Sequence, residues 1–509
     1  MKRSVVRVSL TAALLAAAAP GGPAAAASGA PAAAPGAPAA AVPVPKLLVV
    51  GMDGLNWDSV VAANAPNLDA LAAQGVLGRS LVQCPSLADS SSGPGWSNIA
   101  TGVWPDRHGV RNNSFAGKRY DAWPDFLTRL ERADPALATY SAVDWAPLHD
   151  QGTFSTASDT RVTLDGDADG YAGEDEKITT DAVTRLGTGD PDASFVYLGN
   201  TDVVAHAVGT GTRYRAAIEK QDQQLGRMLA AVRSRPTYAG EDWLVMVTTD
   251  HGHRVPFGGH GGCRLDERGT FLLAAGSGIA AGARPTDVRQ VDLAATALQH
   301  FGVVVALDGT SVRSRAADRF DGLALRTRVD ETGIPATLAG WTPTPPAGWS
   351  VDRGAMPTGG VTEWRGWTFA TNEFWSQTQS GQERENAVRA RGVFAVADSD
   401  EFADRSGGTS FDSTLVSPAW PVVAGGTARV NYVTHYRQEG AQKGDVLVSF
   451  DGGADQLVKR YSADALATVE SVPVPVPAGA TSMTVKFRFH DASNNWYWVI
   501  DDVTVVPGS

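Results

Sequence analysis

Cysteine is nearly absent: the 509 residues contain two, Cys84 and Cys263. That excludes a disulfide-framed miniature scaffold and thiolate-rich zinc sites. An excess of positive charge is missing as well. Lysine is sparse, and 43 basic residues face 55 acidic ones, for a formal net charge of -12. Such a balance argues against a protein that grips duplex nucleic acid, though not against an enzyme that processes small nucleotides. Beyond the first twenty residues no run is long and apolar enough to span a bilayer. No internal repeat occurs, and from about Gly348 helical periodicity is missing too.

Met1-Lys-Arg and Arg7 precede the apolar run Val8 to Ala19, and Ala25-Ala-Ala27 follows. A basic segment, a short apolar segment and small residues make a secretory leader over 1–27, so the mature chain is expected to begin near Ser28 and to be secreted. A retained anchor is the alternative reading and gives much the same outer location. Residues 28–45 are almost wholly Ala, Pro and Gly, the composition of a linker. In an oxidising compartment Cys84 and Cys263 are a candidate disulfide, with two unpaired buried thiols as the alternative.

From Lys46 the pattern alternates. Strand-like runs at Lys46–Gly51, Leu77–Gln83, Leu137–Val143, Ser194–Leu198, Trp243–Thr248 and Thr270–Ala274 are interleaved with helical spacings, the longest over Thr212–Val232. Alternation of this kind predicts an α/β layer structure with a mainly parallel sheet over 46–327. Parallel sheets bind ligands at the carboxyl ends of their strands, and Asp53, Asp202 and Asp250 each fall just after a predicted strand. Residues 328–347, including Pro335 to Pro346, read as a linker. The texture of 348–509, with alternating runs such as Asp445–Phe450 and Met483–Phe489, predicts an all-β sandwich.

Two stretches carry the chemistry. Thr249 to Gly262 places Asp250, His251, His253 and His260 in a glycine-rich loop, and carboxylate with imidazole suits a borderline divalent cation. An ordinary turn after a strand is the bland reading of Asp250-His-Gly252 alone. Ser90 to Gly102 sets Ser92 before a helix near Pro94, where backbone N–H groups face an incoming anion. A hydroxyl there can be activated by a cation and attack phosphorus; helix capping is the structural alternative.

Met52-Asp-Gly54, Ser92-Gly-Pro-Gly-Trp-Ser-Asn-Ile-Ala-Thr-Gly102, Pro105-Asp-Arg-His-Gly109, Asp202 with His206, and Asp250-His-Gly252 together resemble the alkaline phosphatase superfamily. Within it they are most similar to the nucleotide pyrophosphatase/phosphodiesterase branch, over roughly 46–327. The resemblance implies an alkaline-phosphatase-like layered fold and a two-metal phosphoric-ester hydrolase working through a phospho-serine. It assigns one cation to Asp202, His206 and His260, and the other to Asp53, Asp250 and His251 with Ser92 as nucleophile. Gly93 and Asn113 would bind substrate, and zinc is the expected metal. The branch usually carries threonine followed by Phe-Pro-Asn; Ser92-Gly-Pro-Gly95 departs from that and lacks the aromatic ring beside the leaving group. Cys84-Pro-Ser-Leu-Ala88 lacks the arginine of a sulfatase motif, and Arg254 is the one basic residue close in sequence. His108 and His253 read as structural.

A phosphomonoesterase or phosphonate hydrolase is the neighbouring alternative, and a secreted glycan- or cell-wall-binding protein with a relic catalytic fold is the alternative from another class. In the last part, Asn494 to Val503 resembles the closing strand of jelly-roll modules on secreted hydrolases. Asp398, Asp400 and Asp404 with Asp501 or Asp502 are candidate calcium ligands, since calcium favours several oxygens; solvated acidic turns are the alternative. The expected partners are a small phosphate-ester substrate and, through the β part, a glycan or cell surface.

Overall fold

Leu47, Val49 and Leu48, Val50 alternate along one strand, and the two pairs enter different hydrophobic clusters on opposite faces of a sheet. A strand covered on both faces reads as a continuous apolar run, which is why Lys46–Gly51 is legible at once. The computed structural model describes residues 42–315 and 317–508; the expected leader and residues 28–41 of the expected linker lie outside the described residues. Its first sheet contains β1 (Val44–Met52), β2 (Val76–Leu81), β3 (Thr139–Val143), β4 (Thr160–Thr163), β5 (Ala193–Leu198), β6 (Glu241–Thr248) and β7 (Gly269–Ala275). The strand order is β2-β7-β6-β1-β5-β3-β4. Neighbours from β6 to β4 are parallel, while β7 runs antiparallel to both β6 and β2. This is the mainly parallel α/β sheet that the alternation predicts.

Helices Pro66–Gln74, Tyr171–Thr188 and Thr212–Arg233 cover one face, and Ser92–Thr101, Phe126–Ala133 and Asp292–His300 cover the other. The register aligns Gly51 with Tyr197 on one side and Thr248 on the other. The carboxyl ends of β1, β5 and β6 therefore finish level, and the residues that follow them share one rim.

Downstream lie β8 (Arg326–Thr327), β9 (Ala339–Thr342), β10 (Ser350–Asp352), β11 (Thr368–Thr371), β12 (Val393–Asp398), β13 (Phe411–Pro421), β14 (Thr427–Tyr436), β15 (Lys443–Phe450), β16 (Gln456–Tyr461), β17 (Ala465–Pro475), β18 (Ser482–Ala492) and β19 (Tyr497–Val506). They form two antiparallel sheets, β10-β13-β18-β15-β16 and β17-β14-β19-β12-β11-β9-β8. In β13 and β18 buried and less buried residues alternate, the signature of strands with one face inward. Inward residues of both sheets meet in a single core rich in tryptophan, with Trp364, Trp367, Trp375 and Trp498 fully buried. These rings are packing, not a sugar platform. The stretch 328–347, expected as a linker, contributes β9.

The calcium set expected from Asp398, Asp400, Asp404, Asp501 and Asp502 does not assemble. Asp398 caps the short Ser399–Ala403 helix and pairs with buried Arg384 at 3.0 Å, as Asp400 does at 3.5 Å; Asp404 is exposed. The antiparallel register sets Asp398 opposite Tyr497, so Asp501 lies four residues, about 13 Å, along the neighbouring strand.

The segment Arg384 to Gly392 joins the β part to the α/β part. Arg391 makes two hydrogen bonds to Asp292, at 2.9 and 2.8 Å, and Arg289 donates to the Ala390 carbonyl. Asp292 is fully buried, and without Arg391 its charge keeps only two backbone N–H donors and Arg315 at 3.8 Å. Arg391→Ala is expected to cost about 3 kcal/mol of stability. Thermal and denaturant unfolding read it, and an unchanged midpoint would refute the bracing role.

Candidate metal centre

The rim of the parallel sheet gathers the acidic and imidazole side chains that the sequence singles out. Asp53 follows β1, Asp250 and His251 follow β6, and Asp202 sits in the first turn of the Asn200–Val208 helix after β5, with His206 one turn on. Asp53, Asp250 and His251 each offer a ligand atom within 4.8 Å of the others. His251 Nε2 is 3.2 Å from Asp250 Oδ2 and 3.5 Å from Asp53 Oδ1. Ser92 Oγ lies 3.3 Å from the same Nε2. Ser92 is the first residue of its helix and Ser91 the N-cap, so Ser92 is not the capping residue. Ser90 instead donates to the Gly262 carbonyl, and Ser97 is held within the helix.

Asp202 Oδ1 is the centre of the second group. His253 Nε2 approaches it at 2.9 Å, His206 Nε2 at 3.5 Å and His260 Nε2 at 3.6 Å. The expected trio of Asp202, His206 and His260 is thus distributed: His206 shares a group with His253, and His260 shares one with His251. His251 and His260 stack at 3.7 Å between ring centres, which links the two groups. The sequence reading set His253 aside as structural; the alternation of His251 and His253 in one loop is the signal that could have brought it in.

Supporting bonds orient these groups. Asp53 Oδ2 accepts from Trp96 Nε1 (2.9 Å) and from the Tyr197 hydroxyl (2.6 Å), leaving Oδ1 unpartnered. Backbone carbonyls of Gly252 and Ser90 face the Nδ1 atoms of His251 and His260, so each Nε2 carries the lone pair. A Cβ on Gly95 would lie 2.6 Å from the Asp250 carbonyl oxygen, and one on Gly54, at φ 61°, would lie 2.4 Å from His253 Nε2. Glycine at these positions lets helix and turn close on the site. Gln290 donates to the Thr249 and Asp250 carbonyls and accepts from Asn98, whose other end meets His108. His108 is structural, as the sequence reading has it.

Electrostatics explains why the arrangement calls for cations. Burial, then the charge of Asp202, pushes Asp53 up to about 7; burial raises Asp202 to about 6. Burial and the charges of Asp53 and Asp202 hold Asp250 well above the carboxylate range. Burial, with mutual repulsion, drives His251 well below the imidazole range and His260 down to about 3. Buried Asp53 Oδ1, Asp202 Oδ1, Asp250 Oδ2 and both His253 nitrogens have no hydrogen-bond partner. Neutral imidazoles, crowded carboxylates and orphaned acceptors are the donor set of divalent cations, and the residues fit that role.

Gly93 N–H donates to Asn113 Oδ1 at 2.7 Å, which leaves the Asn113 amide nitrogen as the donor end of that side chain. Arg254 is committed to Glu267 at 3.3 Å. Cys84 and Cys263 form a disulfide with Cα atoms 4.9 Å apart, joining the loop before Ser92 to the loop after His260. Ser90 Oγ bridges the same loops, donating to the Gly262 carbonyl and accepting from Gly261 N–H.

Residues 47–137 match the family model described as type I phosphodiesterase / nucleotide pyrophosphatase. Ectonucleotide pyrophosphatase/phosphodiesterase family member 7 of Rattus norvegicus is 25% identical over 278 residues, 50% of this chain and 56% of that protein. Its Homo sapiens counterpart is 26% identical over 232 residues, 41% of this chain and 47% of that one. The chain spans about half the length of the curated relatives it matches. Among solved structures, an inactive murine ectonucleotide pyrophosphatase/phosphodiesterase 5 in complex with AMP aligns with TM-score 0.43 and 16% identity, covering 53% of this chain and 99% of that one. A phosphonate monoester hydrolase of Agrobacterium radiobacter gives 0.41 and 16%, over 53% and 76%.

Replacing both Cys84 and Cys263 by serine is expected to lower stability by about 2–5 kcal/mol. It should also loosen cation retention, because the bridge ties the His260 loop in place. Equilibrium dialysis against a chelator, followed by elemental analysis, checks this; equal retention in both proteins would sink it.

Proposed function

We propose that this chain, a relative of the type I phosphodiesterase/nucleotide pyrophosphatase family in the alkaline phosphatase superfamily, is a secreted two-metal phosphoric-ester hydrolase with Ser92 as nucleophile. The observation that carries the reading is the Ser92 hydroxyl, 3.3 Å from His251 Nε2, at a point where unpartnered carboxylate oxygens converge. The catalytic part takes in 46–327, with 328–347 joining it to the β part of 348–509. Secretion is supported by the leader-like first 27 residues and by the disulfide. No described helix is long and apolar enough to cross a membrane.

Asp53, Asp250 and His251 would hold one cation beside Ser92, and Asp202, His206 and His260 the other, with His253 a further nitrogen donor beside Asp202. Mixed carboxylate and imidazole ligation suits zinc. Bound there, two cations supply charge stabilisation for an in-line displacement at phosphorus and acidify a hydroxyl. The chain's own residues present and orient the reactants. Ser92 Oγ attacks phosphorus, the bond to the leaving oxygen breaks, and water later hydrolyses the phospho-serine. Asn113, held by Gly93 N–H, donates from its amide nitrogen to a phosphoryl oxygen. Gly93 thereby acts through Asn113. Arg254 is engaged by Glu267 and Arg111 by the Ser86 carbonyl, so neither is free to bring a second positive charge to the phosphate. That favours singly charged diesters and pyrophosphate linkages over dianionic monoesters.

Ser92→Ala should retain most bound cation while turnover falls at least about a thousandfold, and Ser91→Ala should remain active. Full activity in the first, or a collapse confined to the second, would identify another nucleophile. On cation-loaded protein, bis-p-nitrophenyl phosphate should be cleaved faster than p-nitrophenyl phosphate, and p-nitrophenyl sulfate hardly at all. The reverse order of the two phosphates would make the enzyme a monoesterase.

A further inference from the structure

A second acidic convergence lies away from the rim, where the chain passes from the α/β part into the β part. Asp318, Asp501 and Asp502 each offer a carboxylate oxygen, all within 4.8 Å of one another. Asp501 projects from β19 and is 1% exposed, Asp502 follows it as an exposed residue, and Asp318 comes from the segment before β8. Asp501 Oδ2 accepts from the Arg391 backbone N–H at 2.7 Å, but Oδ1 is buried with no hydrogen-bond partner. Leaving a buried carboxylate oxygen unsatisfied is costly, and two more carboxylates beside it raise that cost.

The cationic side chains nearby are committed elsewhere. Arg391 grips Asp292 through both terminal nitrogens, Arg315 pairs with Asp287, and Arg289 donates to the Val288 and Ala390 carbonyls. Among the described residues none of the three carboxylates makes an ion pair with an arginine, lysine or histidine. A proton shared between Asp318 and Asp501 would relieve one pair and leave Asp502 facing both. A single cation answers all three.

We propose that Asp318, Asp501 and Asp502 form a calcium site that pins the segment before β8 to β19. The donors are all carboxylate oxygens, with no imidazole or thiolate, which selects a hard cation such as Ca²⁺ over zinc. Asp318 and Asp502 leave it open to solvent for entry and for water ligands. The site is separate in sequence and in ligand type from the histidine-rich centre, and it does not depend on the reading of that centre. It also differs from the ligand set that Asp398, Asp400 and Asp404 suggest, because those residues are engaged or exposed at the far end of β12.

The test uses the full chain, stripped with chelator and reloaded with zinc so that the histidine-rich centre is filled. Calorimetric titration with CaCl₂ should then show one further site per chain, and calcium should raise the unfolding temperature. Asp501→Asn and Asp502→Asn should each weaken calcium binding at least about tenfold and abolish the thermal shift, with zinc content unchanged. Asp502→Asn changes an exposed group, so it keeps the experiment decisive if Asp501→Asn folds poorly. No calcium uptake by the wild-type chain would overturn the proposal, as would uptake that both variants retain. So would a raised unfolding temperature in Asp501→Asn without calcium and no calcium response in the wild type, which would mark a shared proton instead.

Discussion

Three carboxylates gathered on one rim repel each other, and that repulsion is what the rest of the structure has to contain. Two like charges 4 Å apart cost about 4 kcal/mol at an effective dielectric near 20, before desolvation is counted. Asp53, Asp202 and Asp250 meet at the sheet rim under that penalty, alongside His251 and His260, which burial above all keeps uncharged. Parallel strands that end level bring the groups together. The sheet's apolar faces, packed by helices on both sides, hold them there.

Rigidity is added in layers around that point. Trp96 and Tyr197 are core side chains whose polar ends both reach Asp53, so burying the ring also aims the carboxylate. Gln290, from the segment just ahead of the Asp292–His300 helix, ties the Asp250 backbone to Asn98 and through it to His108. The His260 loop has little apolar contact of its own, and there the disulfide and the Ser90 bridge supply the constraint.

The β part contributes to the same end. Asn386 accepts from the Cys84 backbone N–H, and Arg268, buried, reaches both the Val82 carbonyl ahead of that loop and the Glu385 carbonyl. Ordering the segment Arg384 to Gly392 therefore also orders the approach to Cys84, and through it the loop that carries Ser92. This connects the β part to the rim that carries the candidate site by named bonds.

Much of this was legible in the chain. Continuous apolar runs, strand–helix alternation and an aspartate after each of three strands suffice to predict a parallel sheet with acids at its carboxyl ends, because those patterns follow from local geometry and burial. Ser92, Asn113, His206 and His260 are singled out by the family resemblance of the motifs, and their roles rest on that resemblance. What the chain could not show is distance between loops far apart in sequence. His253 looked like a bystander until the turn at Gly54 brought it 2.9 Å from Asp202. The calcium residues expected from composition separated because an antiparallel register decides which aspartates are neighbours, and register depends on the whole sheet. Asp318, unremarkable in sequence, meets Asp501 and Asp502 because the segment before β8 packs back against β19. Residue type sets what a side chain can do; only the packing of distant segments decides what it does it to.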